Sequence, residues 1–165
     1  MKIIFRLGLV VMFAALGFWL WTLCFPNPEM VIRKRLDKVA ALISFGPKEG
    51  NIARAANILQ LTGYFATNIE ITVDAPAQSN HTFSGRDELT QAAMVVRNSL
   101  TGLNVEFVDQ NITLSPDKTE ATVSLTGKAR VAGDRDLFVQ ELKFSLRKID
   151  GTWLIVRIET IRTLT

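Results

Sequence analysis

The chain has 165 residues, 48% of them apolar and 21% charged, which is the composition of a folded domain and excludes a disordered or collagen-like chain. A single cysteine, Cys24, excludes a disulfide framework and a cysteine-based zinc site. A single histidine, His81, excludes a multi-histidine centre, so no metal and no cofactor is expected. The net charge of +3 is unevenly placed: residues 1–45 carry six basic and two acidic side chains, residues 46–165 thirteen and fourteen, which excludes a basic nucleic-acid-binding face on the body of the chain.

From Leu7 to Phe25 no residue is charged. As a helix this run spans about 28 Å at ~1.5 Å per residue, close to the ~30 Å hydrocarbon core of a bilayer. Lys2 and Arg6 precede it, and Trp19 and Trp21 sit near its far end, where indoles suit a membrane interface. A cleaved signal peptide calls for a shorter run ending in small residues, whereas this one ends Trp-Leu-Trp-Thr-Leu-Cys-Phe-Pro. Residues 1–26 therefore read as an uncleaved membrane anchor, bound to lipid through residues 7–25, with lipidation of Cys24 as the minor alternative. Residues 27–165 read as the folded domain.

The charge bias leaves two orientations open. Lys2 and Arg6 flank one end, while Arg33, Lys34, Arg35 and Lys38 form a membrane-proximal basic cluster beyond the other. The second group begins inside the folded domain and the immediate exit, Pro26-Asn27-Pro28-Glu29, has no positive charge. The expectation is a cytoplasmic N-terminus and a domain on the exported, periplasmic side.

Asn27-Pro28-Glu29 starts a helix, with an Asn cap, Pro at the first position and an acid facing the helix dipole. Ile32, Leu36, Val39 and Ile43 form its apolar stripe, Arg33 and Asp37 are spaced for an i,i+4 pair, and Gly46-Pro47 ends it. A second helix over about 49–65, with Ile52, Ala55, Ala56 and Leu59 on one side and Ile58, Leu61 and Phe65 widening the apolar face, is expected to be largely buried. Residues 68–75 alternate as a half-buried strand, and 76–80 form a loop. Ser84-Gly85-Arg86-Asp87 fits a capping box opening a third helix, with Leu89, Ala92, Ala93, Val96 and Leu100 on one face and Gly102 at its end.

From Asn104 the period changes to two. Strands over about 104–114, 121–131, 138–147 and 153–164 are separated by turns at Ser115-Pro116-Asp117-Lys118, Gly133-Asp134-Arg135-Asp136 and Asp150-Gly151. The last strand is apolar on both faces and reads as central. The expected architecture is α+β: three helices on the greasy face of a curved antiparallel sheet of four to five strands.

The order of elements, with Phe83-Ser84-Gly85-Arg86-Asp87-Glu88-Leu89 ahead of the third helix and Asp150-Gly151-Thr152-Trp153 opening the last strand, resembles the NTF2-like (SnoaL-like, cystatin-like α+β) superfamily over about residues 28–165. The resemblance implies a cone whose mouth holds a small ligand in some members, dimerisation through the sheet in many, and both enzymes (isomerases, cyclases, dehydratases) and non-catalytic modules. An anchor followed by an exported domain of this kind also resembles the inner-membrane scaffold component of type IV secretion systems.

Chemistry of the ketosteroid isomerase type needs a carboxylate acid/base and an oxyanion partner inside a dry cone. The available groups are Tyr64, Asp74, His81, Asp109, Glu141, Arg157 and Glu159, and no pair among them stands out, so no catalytic residue is assigned. Tyr64, His81 and Arg157 are the candidate pocket residues; an inward Arg157 would favour an anionic ligand. The polar sheet face with Thr126, Lys128, Arg130, Lys143 and Arg147 is the candidate interaction surface for protein partners or a second copy. The leading expectation is a membrane-anchored, non-catalytic interaction or assembly module, a subunit of a larger membrane or envelope complex. The alternative is a small-molecule binding protein, lyase or isomerase using the cone.

Overall fold

The computed structural model describes residues 27–73 and 81–161. The expected anchor, with Trp19, Trp21 and Cys24, lies outside the described residues, as does Asp74. Among the described residues no helix is long and apolar enough to cross a membrane. The chain divides into two units, Met1–Val31 and Ile32–Thr165, and the second holds the fold.

Helix α1 runs Pro28–Ile43. Its start is capped as the sequence suggests: Asn27 Oδ1 accepts the Glu29 N–H at 3.0 Å. Ile32, Leu36, Val39, Ala40 and Leu42 are buried, so the stripe ends on Leu42 with Ile43 only half-buried. Arg33 and Asp37 do not pair with each other. Both bind Gln110 instead, Arg33 Nη2 donating to its carbonyl at 3.1 Å and Asp37 Oδ1 accepting from its amide at 2.9 Å. This ties the helix to the sheet.

Helix α2 spans Asn51–Thr62, shorter than expected because Tyr64 already turns into strand β1, Phe65–Val73. Its burial is also less than expected. Only Ile58, Leu61 and Thr62 are buried, whereas Ile52 is 88% and Leu59 76% exposed. Strand β2, His81–Ser84, pairs antiparallel with β1; four residues without a clear alternation left it unread in the sequence.

Helix α3, Arg86–Ser99, starts one residue later than a regular capping box requires. Gly85 occupies the cap with φ +90°, a left-handed conformation that suits glycine, and its missing side chain makes no cap bond. Glu88 supplies the reciprocal half, its carboxylate accepting the Ser84 N–H at 2.8 Å.

The remaining strands are β3 Leu103–Leu114, β4 Glu120–Val131, β5 Phe138–Ile149 and β6 Thr152–Thr160. The sheet order is β2-β1-β6-β5-β4-β3. It has six strands rather than four or five. It is mixed rather than antiparallel, because β1 runs parallel to β6. Alternation reports which residues share a face and carries no strand direction. The hairpins do fix β3 to β6 as antiparallel, and β6 lies centrally as its two-sided apolarity implies. The Asp150-Gly151 turn has both residues at positive φ, 49° and 76°, matching the twist of a tight hairpin.

The core lies between the helices and one sheet face. Ile32, Leu36 and Val39 of α1 and Phe65, Ile69, Val123, Leu125, Phe144, Leu146, Trp153 and Ile155 of the sheet are each at most 4% exposed. Phe107 and Phe144 pack edge to face with centroids 5.5 Å apart, adding about 0.5–1.5 kcal/mol beyond the area they bury.

Candidate functional site

The alternation that buries one face of β4, β5 and β6 lays a row of charged side chains across the other. Register places Glu120, Thr122, Ser124, Thr126 and Lys128 of β4 opposite Arg147, Ser145, Lys143, Glu141 and Val139 of β5. Lys143 and Ser145 in turn face Glu159 and Arg157 of β6, and those two lie beside Thr72 and Glu70 of β1.

A β-bulge decides which residues take part. Leu146 pairs with Ile155 but Ser145 pairs with Arg157, so β6 carries one extra residue, Val156. Counting by twos from the buried Trp153 and Ile155 would send Arg157 and Glu159 inward. The extra residue turns both to the outer face, where their side chains are 50% and 37% exposed. Arg157 Nη2 donates to Glu70 Oε2 at 2.6 Å and lies 3.7 Å from Glu159. Lys143 reaches Glu159 at 3.9 Å, and Arg147 Nε donates to Glu120 Oε1 at 3.1 Å. Exposed pairs of this kind contribute about 0–1 kcal/mol each, so the ladder adds little to stability.

These residues line an open groove of 390 Å³ together with Asn68, Thr122 and Ser145. The groove offers bases and acids in alternation, plus hydroxyl groups. It suits another polar, charged surface and has no dry recess for an apolar substrate.

Of the expected pocket residues, Arg157 lies on the outer sheet face and Tyr64 beside helix α1. Tyr64 is half-buried under the Arg35 guanidinium, 4.7 Å from the ring centroid, and its carbonyl accepts the Ile155 N–H at 3.0 Å. Burial lowers the Arg35 pKa from its ordinary value, with the Tyr64 hydroxyl opposing the shift. His81 pairs with Val73 at the start of β2, and its side chain lies outside the described residues. Asp109 and Glu141 are exposed. Of the proposed interaction residues, Lys143 and Arg147 belong to the ladder. Thr126 and Lys128 continue the same face half-buried, and Arg130 is exposed at its end opposite Asn104. In the basic cluster Arg33, Lys34 and Lys38 are exposed, and only Arg35 turns toward Tyr64.

A second hollow, of 450 Å³, opens where the α1–α2 loop meets β3 and β4, lined by Phe45, Pro47, Leu103, Val131 and neighbours, with Arg130 and Asp134 supplying its charge. Among the described residues no three His, Cys, Asp or Glu side chains gather as a metal site requires.

Sequence reasoning missed one group. Arg97, 3% exposed, is the buried residue of α3. Its guanidinium donates to both oxygens of Glu49 and to the Leu42 carbonyl, and lies over the Phe45 ring at 4.9 Å. Burial alone would push the Glu49 carboxyl up. Hydrogen bonds from Arg97 and Asn57, with the charges of Arg97 and Arg54, hold it below its ordinary value. The clue in the sequence was position: Arg97 follows the half-buried Ala93 by four residues, on the face α3 turns inward, whereas Val96 is exposed.

No known family profile matches this chain, and no curated protein matches it in sequence. Solved structures do. The chain is similar to a putative scytalone dehydratase from Novosphingobium aromaticivorans, with TM-score 0.59 and 17% identity, over 81% of this chain and 84% of that one. It is similar to an NTF2-like protein of unknown function from Pseudomonas putida KT2440, with TM-score 0.61 and 13% identity, over 81% and 85%. A chain from a yeast deubiquitinase–cofactor complex matches with TM-score 0.56 and 12% identity, over 83% and 98%. At such identities the likeness shows the fold alone, and the domain has the NTF2-like, cystatin-like α+β fold.

Proposed function

We propose that this protein is a membrane-anchored, non-catalytic NTF2-like module that holds partner proteins in a larger membrane or envelope complex. The observation that carries the reading is the four-strand ladder Glu70–Arg157–Glu159–Lys143 with Arg147–Glu120, presented on an exposed sheet face beside an open groove. The fold neighbour from a deubiquitinase–cofactor complex shows the same fold inside a protein assembly.

In this reading residues 7–25 anchor the chain, the N-terminus is cytoplasmic and the domain is periplasmic. A reporter enzyme active only outside the cytoplasm, fused after Thr165, is expected to be active; silence there overturns the orientation. Crosslinking through Lys143 in native membranes is expected to capture a partner, with charge reversal at Arg147 and Arg157 reducing the yield. Recovery of the protein alone, with its yield indifferent to those changes, overturns the assembly role.

A further inference from the structure

We propose that the exposed face of α2 seats on an anionic bilayer surface, holding the domain flat against the membrane to which the chain is tethered. The inference rests on the reading of residues 7–25 as an anchor.

Helix α2 has the wrong surface for a helix facing bulk water. Its inner face buries Ile58, Leu61 and Thr62. Its outer face shows Ile52, Ala53, Ala55, Ala56, Leu59 and Gln60, all exposed. The one charged residue of the helix, Arg54, is half-buried and turned away to Asn98 of α3 at 2.9 Å. An outer helical face normally carries charge, and this one has none.

Three features of the surroundings select lipid as what covers it. The first is charge. Between Met30 and Gly63 the chain has six basic and two acidic side chains, and both acids are engaged, Asp37 with Gln110 and Glu49 with Arg97. Lys34, Lys38 and Lys48 stay exposed, Lys48 only four residues before Ile52. An apolar strip led in by an exposed lysine, on a stretch of chain with excess positive charge, suits a helix lying in the headgroup region, its apolar side reaching about 5–10 Å inward.

The second is reach. The uncharged run ends at Phe25, three residues before α1 begins at Pro28, so at most about 10 Å of extended chain separates them. A domain on so short a leash meets the lipid surface continually, and tethering makes a weak contact effective.

The third is size. One face of a 12-residue helix is about 18 Å long and ~10 Å wide, far below the roughly 800 Å² per partner of a stable dimer. A shallow seat in lipid has no such threshold.

The test uses the full chain with Cys24→Ser, reconstituted in phosphatidylcholine–phosphatidylglycerol vesicles. A nitroxide is placed at Leu59→Cys, independently at Ile52→Cys, and at Ser124→Cys on the outer sheet face as the aqueous control. Expected is carbonate-resistant flotation with the vesicles. At 59 and 52 the ratio of oxygen to aqueous nickel-chelate collision should be several-fold above that at 124, falling when the anionic lipid is omitted. Flotation with wet labels at 59 and 52 overturns the seating and leaves the anchor standing. Failure to float overturns both. Spin–spin broadening between labels at 59 on separate molecules means a second copy covers the face, and likewise overturns the lipid seat.

Discussion

Arg97 and Glu49, 48 residues apart, form a two-oxygen ion pair within the helical layer, with side chains only 2% and 9% exposed. The pair fastens three segments at once. Arg97 also donates to the Leu42 carbonyl at the end of α1, and Glu49 accepts from Asn57 of α2 at 2.8 Å. Those bonds satisfy a helix-end carbonyl and a buried carboxylate that would otherwise lack partners.

Removing one member strands the other. Arg97→Met is expected to lower stability by about 3–5 kcal/mol, because the Glu49 carboxylate loses its close charged partner, keeping only the Asn57 amide and Arg54 at 3.9 Å, and the Leu42 carbonyl loses the Arg97 donor. Adding Glu49→Gln to that change is expected to restore part of the loss by removing the unpaired charge. Thermal and urea unfolding followed by circular dichroism measure both. An unchanged midpoint for the single variant would contradict the account.

The same pair fixes the direction of an acid limb. The Glu49 pKa is lower in the folded protein than its ordinary 4.5, so the folded state binds that proton less readily than the unfolded chain does. Its stabilising contribution is complete above about pH 4.5 and is lost as pH falls through the lowered folded value. Stability measured between pH 7 and 2 is expected to fall less steeply at the acid end for Glu49→Gln than for the wild type. Parallel curves would sink the assignment.

Much of this fold is legible in the sequence, and the losses have identifiable causes. Asn27-Pro28-Glu29, the stripe Ile32–Leu36–Val39 and the Asp150-Gly151 hairpin are local signals, and the structure follows them. Strand direction is not local: that β1 runs parallel to β6 depends on where the chain returns after three hairpins. Arg157 shows how one inserted residue defeats parity, since Val156 moves it from the inner to the outer face. The α2 misreading has another source. Apolar residues all round a helix imply burial only if the surrounding elements supply enough surface, and here Ile52 and Leu59 remain uncovered. At the candidate site the alternation of β5 makes Lys143 and Arg147 legible as outward residues, but the acids they pair with or lie beside, Glu70, Glu120 and Glu159, come from three different strands and are brought together only by the register.

The β3–β4 turn holds an unusually acidic carboxyl. The hydroxyl of Ser115 donates to Asp117 at 2.5 Å, and Thr119 donates through its hydroxyl at 2.5 Å and its N–H at 3.3 Å. These bonds favour the charged form and lower the Asp117 pKa to about 2. The Asp117 side-chain carbonyl carbon followed by NMR is expected to titrate well below the other exposed aspartates. Ser115→Ala is expected to raise its midpoint, and an ordinary midpoint in the wild type would refute the network.

The bulge in β3 makes a conformational prediction. Val108 pairs with Thr126 and Asn111 with Ser124, leaving one residue too many on β3, and Asp109 absorbs it at φ 54°. Asp tolerates this left-handed conformation and a β-branched residue does not. Asp109→Val is expected to cost about 1–2 kcal/mol, while Asp109→Gly stays near neutral. Equal losses in denaturant unfolding would show that the carboxylate, rather than the backbone, matters there.

Gly102 stands where three backbone segments close on one another. Phe45 and Leu103 exchange N–H to carbonyl bonds of 2.8 and 2.9 Å, and the Ala132 N–H donates to the Gly102 carbonyl at 2.9 Å. A Cβ on Gly102 would meet the Ala132 Cβ at 3.0 Å and the Phe45 carbonyl oxygen at 3.2 Å, and neither atom is the end of a flexible side chain. Gly102→Ala is therefore expected to cost about 1–3 kcal/mol by forcing the α1–α2 loop away from β3. The Ala132→Gly change, made in the same chain, removes the tighter of the two contacts and is expected to recover part of the loss. The Phe45 carbonyl would still hold the remainder in place. Urea unfolding of the two single variants and the double gives the coupling directly, and strictly additive losses would show that Gly102 and Ala132 do not meet.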